Sequence, residues 1–475
     1  MKPSFAARLL FVIFSCAATV STAAFKPAFS ATEHIYGAAE VMIKLNHDSP
    51  GIKNPVFTLP NGLRISYGQL AAMPDLFSVV GNSASDTRDP VEAEERFLRN
   101  FNDLAESSQS VTRFNKIWPV MQDEYEQITA AVEKGLDPAY TFQKISGDID
   151  ERLNRATGGG SIFTGMYPLG NYLKLAVNCF DHFGEDAIFA YHIGHNAAMK
   201  AAVLAGKIER GAATPSTSDI QKYGKDLKLI ALNHLEYAYA LNAFACHYMM
   251  DRFAGGHIRA PFRQLCQTVF TQNIGACLGK YAHNEDCCDN LIVRNQLGET
   301  WTAYGDHEFF SDCNRENRAR LAAMLQQSAD EVFDAYTTGC TAAPENTDRH
   351  FPYPVAPLTE FAGFKQTFPM FRYDKASNTI FRREDIANQF DSREKSDWWG
   401  WSTFLLINSK GMGKNIPPEF SITSKKNRYN VPVADQAVLF DRTENKQQLI
   451  DEGIITDPGL LEYHHKQDTD SAENF

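Results

Sequence analysis

Cys246-His247-Tyr248-Met249-Met250-Asp251-Arg252-Phe253-Ala254-Gly255-Gly256-His257 puts two imidazoles and a carboxylate within one helical run and the turn after it. His247 and Asp251 are four residues apart, so on a helix they leave from the same face and can grip one ion. Ala254-Gly255-Gly256 lets the helix end, which frees His257 to turn back towards a neighbouring ion. The plain structural alternative for HxxxDxxxxxH is a partly buried histidine above a helix-surface aspartate. The run belongs to a longer one, Ser218 to Phe253, whose apolar residues recur at helical spacing.

The same periodicity marks Glu33 to Asn46, Val91 to Leu104 and Tyr172 to Ile208, while few segments before residue 340 alternate. The first three quarters therefore read as mainly α. Further ligand-type residues sit on these apolar runs. Asp181 and His195 are fourteen apart, His283 and Asp286 are three apart, and His34 opens the first amphipathic segment. Several buried His and Asp residues are costly without partners, and shared metal ions would satisfy them together. His182, next to Asp181, is read as hydrogen-bonding or shaping its loop, with direct ligation the alternative; His192, His234 and His47 are read as packing, core or surface histidines, and Asp306-His307 is left without a role.

The chain opens with Lys2 and Arg8, an apolar run from Leu9 to Val20, and small residues Thr22, Ala23 and Ala24. This pattern predicts a secretory leader over 1–24, cleaved to leave Phe25 first, and hence a secreted protein. Of nine cysteines, Cys16 would leave with the leader, and an even set in an exported chain favours disulfides. No CxxC pair suggests a thiolate zinc site. Gly158-Gly159-Gly160 to Gly170 reads as an irregular connection and lacks the GxxxxGK of a phosphate-cradling loop. Pro352, Pro354 and Pro357 mark a change of composition. Residues 25–349 are thus expected to form a helical catalytic domain, 350–475 a smaller appended region, and His464 to Phe475 a frayed tail. Forty-six Lys and Arg against fifty-eight Asp and Glu give a net charge of −12, which weakens a nucleic-acid reading.

Taken together, an early His, an Asp and His fourteen apart, HxxxDxxxxxH and a later His with a nearby carboxylate resemble the zinc-dependent phospholipase C and P1-type nuclease superfamily. The segments FDHFG, AYHIGH, HYMMDRFAGGHIRAP and HNED resemble its bacterial zinc metallophospholipase C group, of Pseudomonas and Legionella type. The resemblance runs from about His34 to Asp306. It implies a helical bundle with three zinc ions. One would be held by Asp181, His195, His247 and Asp251. Asp251 would bridge to a second, completed by His34 and the amine and carbonyl of Phe25, or of Ala24 if cleavage falls one residue earlier. His257, His283 and Asp286 would hold the third. The better-known pattern places its carboxylate four residues after the His, where this chain has Cys287, so Glu285 rivals Asp286.

Clustered zinc binds phosphate oxygens, activates water and clamps an in-line displacement, which suits phosphodiester hydrolysis. Asp181 is the candidate base for that water, with pure ligation the alternative. The expected activity is phospholipase C action on glycerophospholipids such as phosphatidylcholine at a membrane or micelle surface. Trp118, Phe183, Tyr191 and Tyr248 could frame a choline cation. Trp398-Trp399-Gly400-Trp401 could touch lipid, or could be a buried aromatic cluster. No GxSxG elbow argues for acyl cleavage, and GDxxQPLH of the nuclease branch is missing. A P1-like nuclease and a non-catalytic zinc-stabilised adhesin are the alternatives.

Overall fold

The computed structural model describes residues 31–46, 50–136, 138–160 and 169–410. The proposed leader, Cys16, Ala24, Phe25, His47 and the tail from His464 lie outside them. The protein is mainly helical. In chain order the helices are α1 (Ala31–Ala39), α2 (Tyr67–Ala71), α3 (Pro74–Phe77), α4 (Pro90–Ala105), α5 (Ser108–Glu133), α6 (Pro138–Ala156), α7 (Asn171–Asn178) and α8 (Gly184–Glu209). They continue as α9 (Thr217–Tyr223), α10 (Leu227–Asp251), α11 (Gly255–Ile258), α12 (Phe262–Thr268), α13 (Gln272–Asp289), α14 (Arg315–Thr338), α15 (Glu345–Asp348) and α16 (Gly400–Ser409).

The centre is α10, which packs along α8 and α14. Its start is set by Asp226, whose carboxylate accepts from the Lys228 and Leu229 amides. From Ala238 to Asp251 every residue is buried, as expected of a helix surrounded by others rather than lying on a surface. Phe97, Phe101, Tyr191, Phe244 and Met249 fill the space around it, and each large apolar side chain buried there contributes about 1.5–3 kcal/mol.

Two expected helical runs are interrupted. Tyr172 to Ile208 divides into α7 and α8, and the connection 179–183 carries Asp181 and His182. Gly184 begins α8 at a positive φ of 57°, a turn that sends the chain back over α10. Ser218 to Phe253 divides at Gly224, also at positive φ. Glu33 to Asn46 is helical only to Ala39, after which Met42–Ile43 pairs with Ile52–Lys53. Among the described residues no helix is long and apolar enough to cross a membrane.

After residue 350 the chain turns to strands, but not at once away from the helices. Phe351 is buried in the main core, and Tyr353–Pro354 pairs antiparallel with Leu291–Arg294. A three-stranded antiparallel sheet of Phe371–Asp374, Thr379–Arg383 and Glu394–Lys395 follows, then α16. This part shares a second core with α12 and α13: Leu265, Leu278 and Tyr281 pack with Met370, Phe371 and Phe404. The disulfides expected from the even cysteine count are not formed at Cys179, Cys246, Cys266, Cys277, Cys287 and Cys340, which are free thiols. Several are engaged separately instead, Cys246 beside Tyr67 and Ser328, Cys287 beside His283.

Candidate metal centre

Among the described residues, three groups of buried His and Asp side chains could each hold a metal ion: His34, Asp75 and His247; His182, His247 and Asp251; and His257, His283 and Asp306. The first two share His247. They draw on α1, α3, the 179–183 connection and α10, whose last turn presents His247 and Asp251 four residues apart on one face.

His182 Nδ1 is 2.7 Å from Asp251 Oδ2 and 3.0 Å from His247 Nε2. His247 Nε2 lies 3.5 Å from Asp75 Oδ1 and 3.4 Å from Asp251 Oδ2. His34 Nε2 is 3.4 Å from Asp251 Oδ1, and its ring stacks on His247 at 4.1 Å between centroids. In the third group, His283 Nε2 is 3.0 Å from His257 Nε2 and 2.9 Å from Asp306 Oδ2.

The outer ring nitrogens decide which lone pairs face inwards. His247 Nδ1 donates to the Ala71 carbonyl at 2.8 Å, and His257 Nδ1 to the His182 carbonyl at 2.8 Å. His283 Nδ1 lies 3.0 Å from Asn284 Oδ1. Each leaves Nε2 aimed into its group, the arrangement in which an imidazole binds a cation. The groups also strain against ordinary protonation. Burial and the neighbouring His283 push His257 down to about 4, while burial of Asp306 is outweighed by His283 and His257, which hold it down at about 2. Burial raises Asp251, yet His247, His182 and His34 hold it well below the usual carboxylate range. His34 is lowered by burial and by His247. Imidazoles and carboxylates crowded in this way, together with the buried Asp306 Oδ1 that accepts no hydrogen bond, suit a cation among them.

His34, His247, Asp251, His257 and His283, which the sequence offered as ligands, fall within these three groups. Asp181, His195 and Asp286 do not, and each has a physical reason. Asp181 is turned away from its neighbour His182: Oδ2 accepts from the Ala84 amide at 2.7 Å, and Oδ1 from the Ser85 amide at 2.9 Å and hydroxyl at 2.5 Å. Burial raises its pKa despite those bonds, and it serves to tie the 179–183 connection to the turn at Ala84–Asp86. His195 faces α14 and the far side of α10, with Nε2 2.9 Å from Glu331 and Nδ1 3.0 Å from Asn242. Asp286 accepts two bonds from Arg259, at 2.9 and 2.7 Å, and its rival Glu285 pairs with Arg383 at 2.9 and 2.7 Å.

Asp75, His182 and Asp306 complete the three groups instead. The signal for Asp75 is a lone carboxylate inside the apolar run Leu70 to Phe77, and the structure buries it with that run. His182 stands in the quoted FDHFG, one residue from the expected ligand. Of the aromatic candidates, Phe183 stacks on His257 at 4.6 Å and Tyr248 meets His182 and His247, whereas Tyr191 stacks on His195 and Trp118 on Phe114. Trp398 is half-buried, its indole bonded to the Ile380 carbonyl at 2.9 Å, and Trp399 is exposed. No family model, curated protein or solved structure matches this chain.

Proposed function

We propose that the protein is a secreted zinc-dependent phosphodiesterase of the phospholipase C and P1 nuclease type, acting as a phospholipase C on glycerophospholipids. The observation that carries this reading is His247, common to two buried His/Asp groups and followed on the chain by His257 of a third. The donor set of imidazole and carboxylate suits zinc, and the proposed bundle is compatible with the mainly helical fold. Metal ions in such groups supply charge neutralisation for a phosphodiester and a water acidic enough to attack phosphorus.

The protein's own groups divide the remaining work. His34, His182 and His247 present ring nitrogens, and Asp251 holds His34 and His182 in register from its two oxygens. Proton acceptance from the attacking water is assigned to Asp75 rather than Asp181. Asp75 keeps a trace of solvent contact, whereas Asp251 has none and Asp181 is occupied by Ala84 and Ser85. Phe183, half-buried beside His257, provides an apolar wall against which a head group can rest.

The test is product analysis with phosphatidylcholine. Diacylglycerol and phosphocholine are expected, with turnover abolished by a chelator and restored by zinc. Free fatty acid, or phosphatidic acid with choline, overturns the reaction. Hydrolysis of single-stranded DNA in place of lipid selects the nuclease reading, and bound zinc with neither activity selects the adhesin.

A further inference from the structure

The helix α2 is five residues long, far below the roughly 12–15 that let a helix stand alone. Its place is therefore set by what holds it. It meets three of the parts that build the groups around His247.

At its exit, the Ala71 carbonyl takes the Nδ1 proton of His247 at 2.8 Å. The chain then runs at once into α3, where Asp75 Oδ1 lies 3.5 Å from Nε2 of the same ring. On its flank, α2 lies against α1. A Cβ on Gly68 would fall 2.6 Å from the Ile35 carbonyl oxygen and 3.2 Å from Ala39 Cβ. Only glycine at 68 allows this approach to the helix that carries His34.

At its start, Tyr67 is fully buried, and its hydroxyl donates to Asn242 Oδ1 at 2.6 Å. Asn242 stands on α10, five residues before His247. Its NH2 donates to Ser328 Oγ of α14 at 2.7 Å and to His195 Nδ1 of α8 at 3.0 Å. Those two bonds fix the amide with its oxygen towards Tyr67, which makes the phenol the donor. Tyr67 thus ties the short helix to the central packing of α8, α10 and α14.

We infer that Tyr67 is a positioning residue of the metal centre. By bolting α2 to α10 it holds the Ala71 carbonyl against His247 Nδ1, which keeps Nε2 turned to the cation, and it steadies the turn from which Asp75 approaches the same nitrogen. The inference rests on His247 being a metal ligand and is independent of the substrate. Tyr67 acts through α2: the bond that orients the ring is made by a backbone carbonyl, and that carbonyl is only as fixed as the helix bearing it.

Tyr67→Phe keeps the ring and drops the hydroxyl. Zinc titration of the metal-stripped full chain against a chelator should show about a 10-fold loss of affinity, the low end for losing an orienting contact, in the equivalents that Asp251→Ala abolishes. Other equivalents should hold. Tyr191→Phe is the control, because its hydroxyl also enters the network, donating to Ser328 at 3.1 Å, but on the side away from α2. It should leave zinc affinity unchanged. A second measurement needs no substitution. Coupling is reciprocal, so a helix that holds His247 for the cation is held by it in turn. The Ala72 and Met73 amides, bonded to the Gln69 and Leu70 carbonyls, should exchange several-fold faster once zinc is stripped, while those of α14 keep their rate. Unchanged affinity in Tyr67→Phe, equal losses in Tyr67→Phe and Tyr191→Phe, or α2 amides indifferent to zinc overturns the inference and leaves the metal reading standing. A chain that takes up no zinc overturns both.

Discussion

The groups around His247 and the group around His283 use the same side chains but are supported by different parts of the chain. The His247 groups lie against the main core, where α1, α3 and the 179–183 connection converge on the last turn of α10. The His283 group sits between α11, α13 and the loop bearing Asp306, and behind α13 lies the second core built with residues 370–407. Two arginines, Arg383 buried and Arg259 nearly so, fasten that junction. Arg259 joins Asp286 to Thr367, and Arg383 joins Glu285 to the carbonyls of Phe368 and Ile386. Buried His and Asp groups can thus be carried by a helical core alone, or can depend on a later, strand-rich segment of the chain.

The contrast is tested most severely at Asp251, which contacts His34, His182 and His247 at once. Asp251→Ala should remove cations bound around His247 and abolish hydrolysis, an effect well beyond the roughly 10–100-fold of an outer-shell change. A cation at the His283 group should remain. Metal analysis with a turnover assay decides it; loss of all bound metal in a folded variant would show that the groups are one cooperative unit.

Arg383→Met strikes the other side. The Arg383 side chain is fully buried and Glu285 nearly so, and breaking such a pair leaves a charge stranded at about 3–5 kcal/mol. Denaturant unfolding should register that loss. Cation affinity should fall at the His283 group and hold at the His247 groups. Equal weakening of both would mean that the second core supports the whole assembly.

How far the site was legible follows from helix phase. His247 and Asp251 at i and i+4 could be read directly, because a helix brings that spacing to one face. On α13 the same rule had to choose among Glu285, Asp286 and Cys287. At about 100° per residue, position i+4 is closest in phase to His283, and Cys287 is the one that faces it. Carboxylates at i+2 and i+3 were chosen by residue type, and each is claimed by an arginine from a part of the chain that local spacing does not reveal. Asp75 was missed for a related reason: a four-residue helix has no periodicity to read, and its one signal was a lone carboxylate in an apolar run. The mainly helical fold was legible from apolar spacing, whereas the break at 179–183 was not. That break turns Asp181 to the Ala84 and Ser85 amides and His182 towards His247 and Asp251.

His195→Ala bears on that difference. It takes one partner from Glu331, whose Oε2 now bonds the ring, and one from Asn242, which keeps Tyr67 and Ser328, and it opens a cavity against Tyr191. Unmet buried groups of this kind cost about 1–3 kcal/mol. Stability should fall by that order with metal content unchanged; loss of metal from the His247 groups would return His195 to the inner shell.

The smallest effect is expected at Asp181→Asn. The asparagine oxygen can still accept from Ser85, but its NH2 then faces the Ala84 amide, donor against donor, across the present 2.7 Å. The cost is that of one unmet buried donor, about 1–3 kcal/mol, reduced to the extent that the turn at Ala84–Asp86 can shift. Because Asp181 acts on the centre only through the placement of His182, the variant should keep its metal and much of its turnover, with KM rather than kcat carrying the change. Titration of metal-stripped protein with zinc, alongside thermal unfolding, separates the roles. A stoichiometric loss of zinc would make Asp181 a ligand, and a loss of kcat with zinc retained would make it the base.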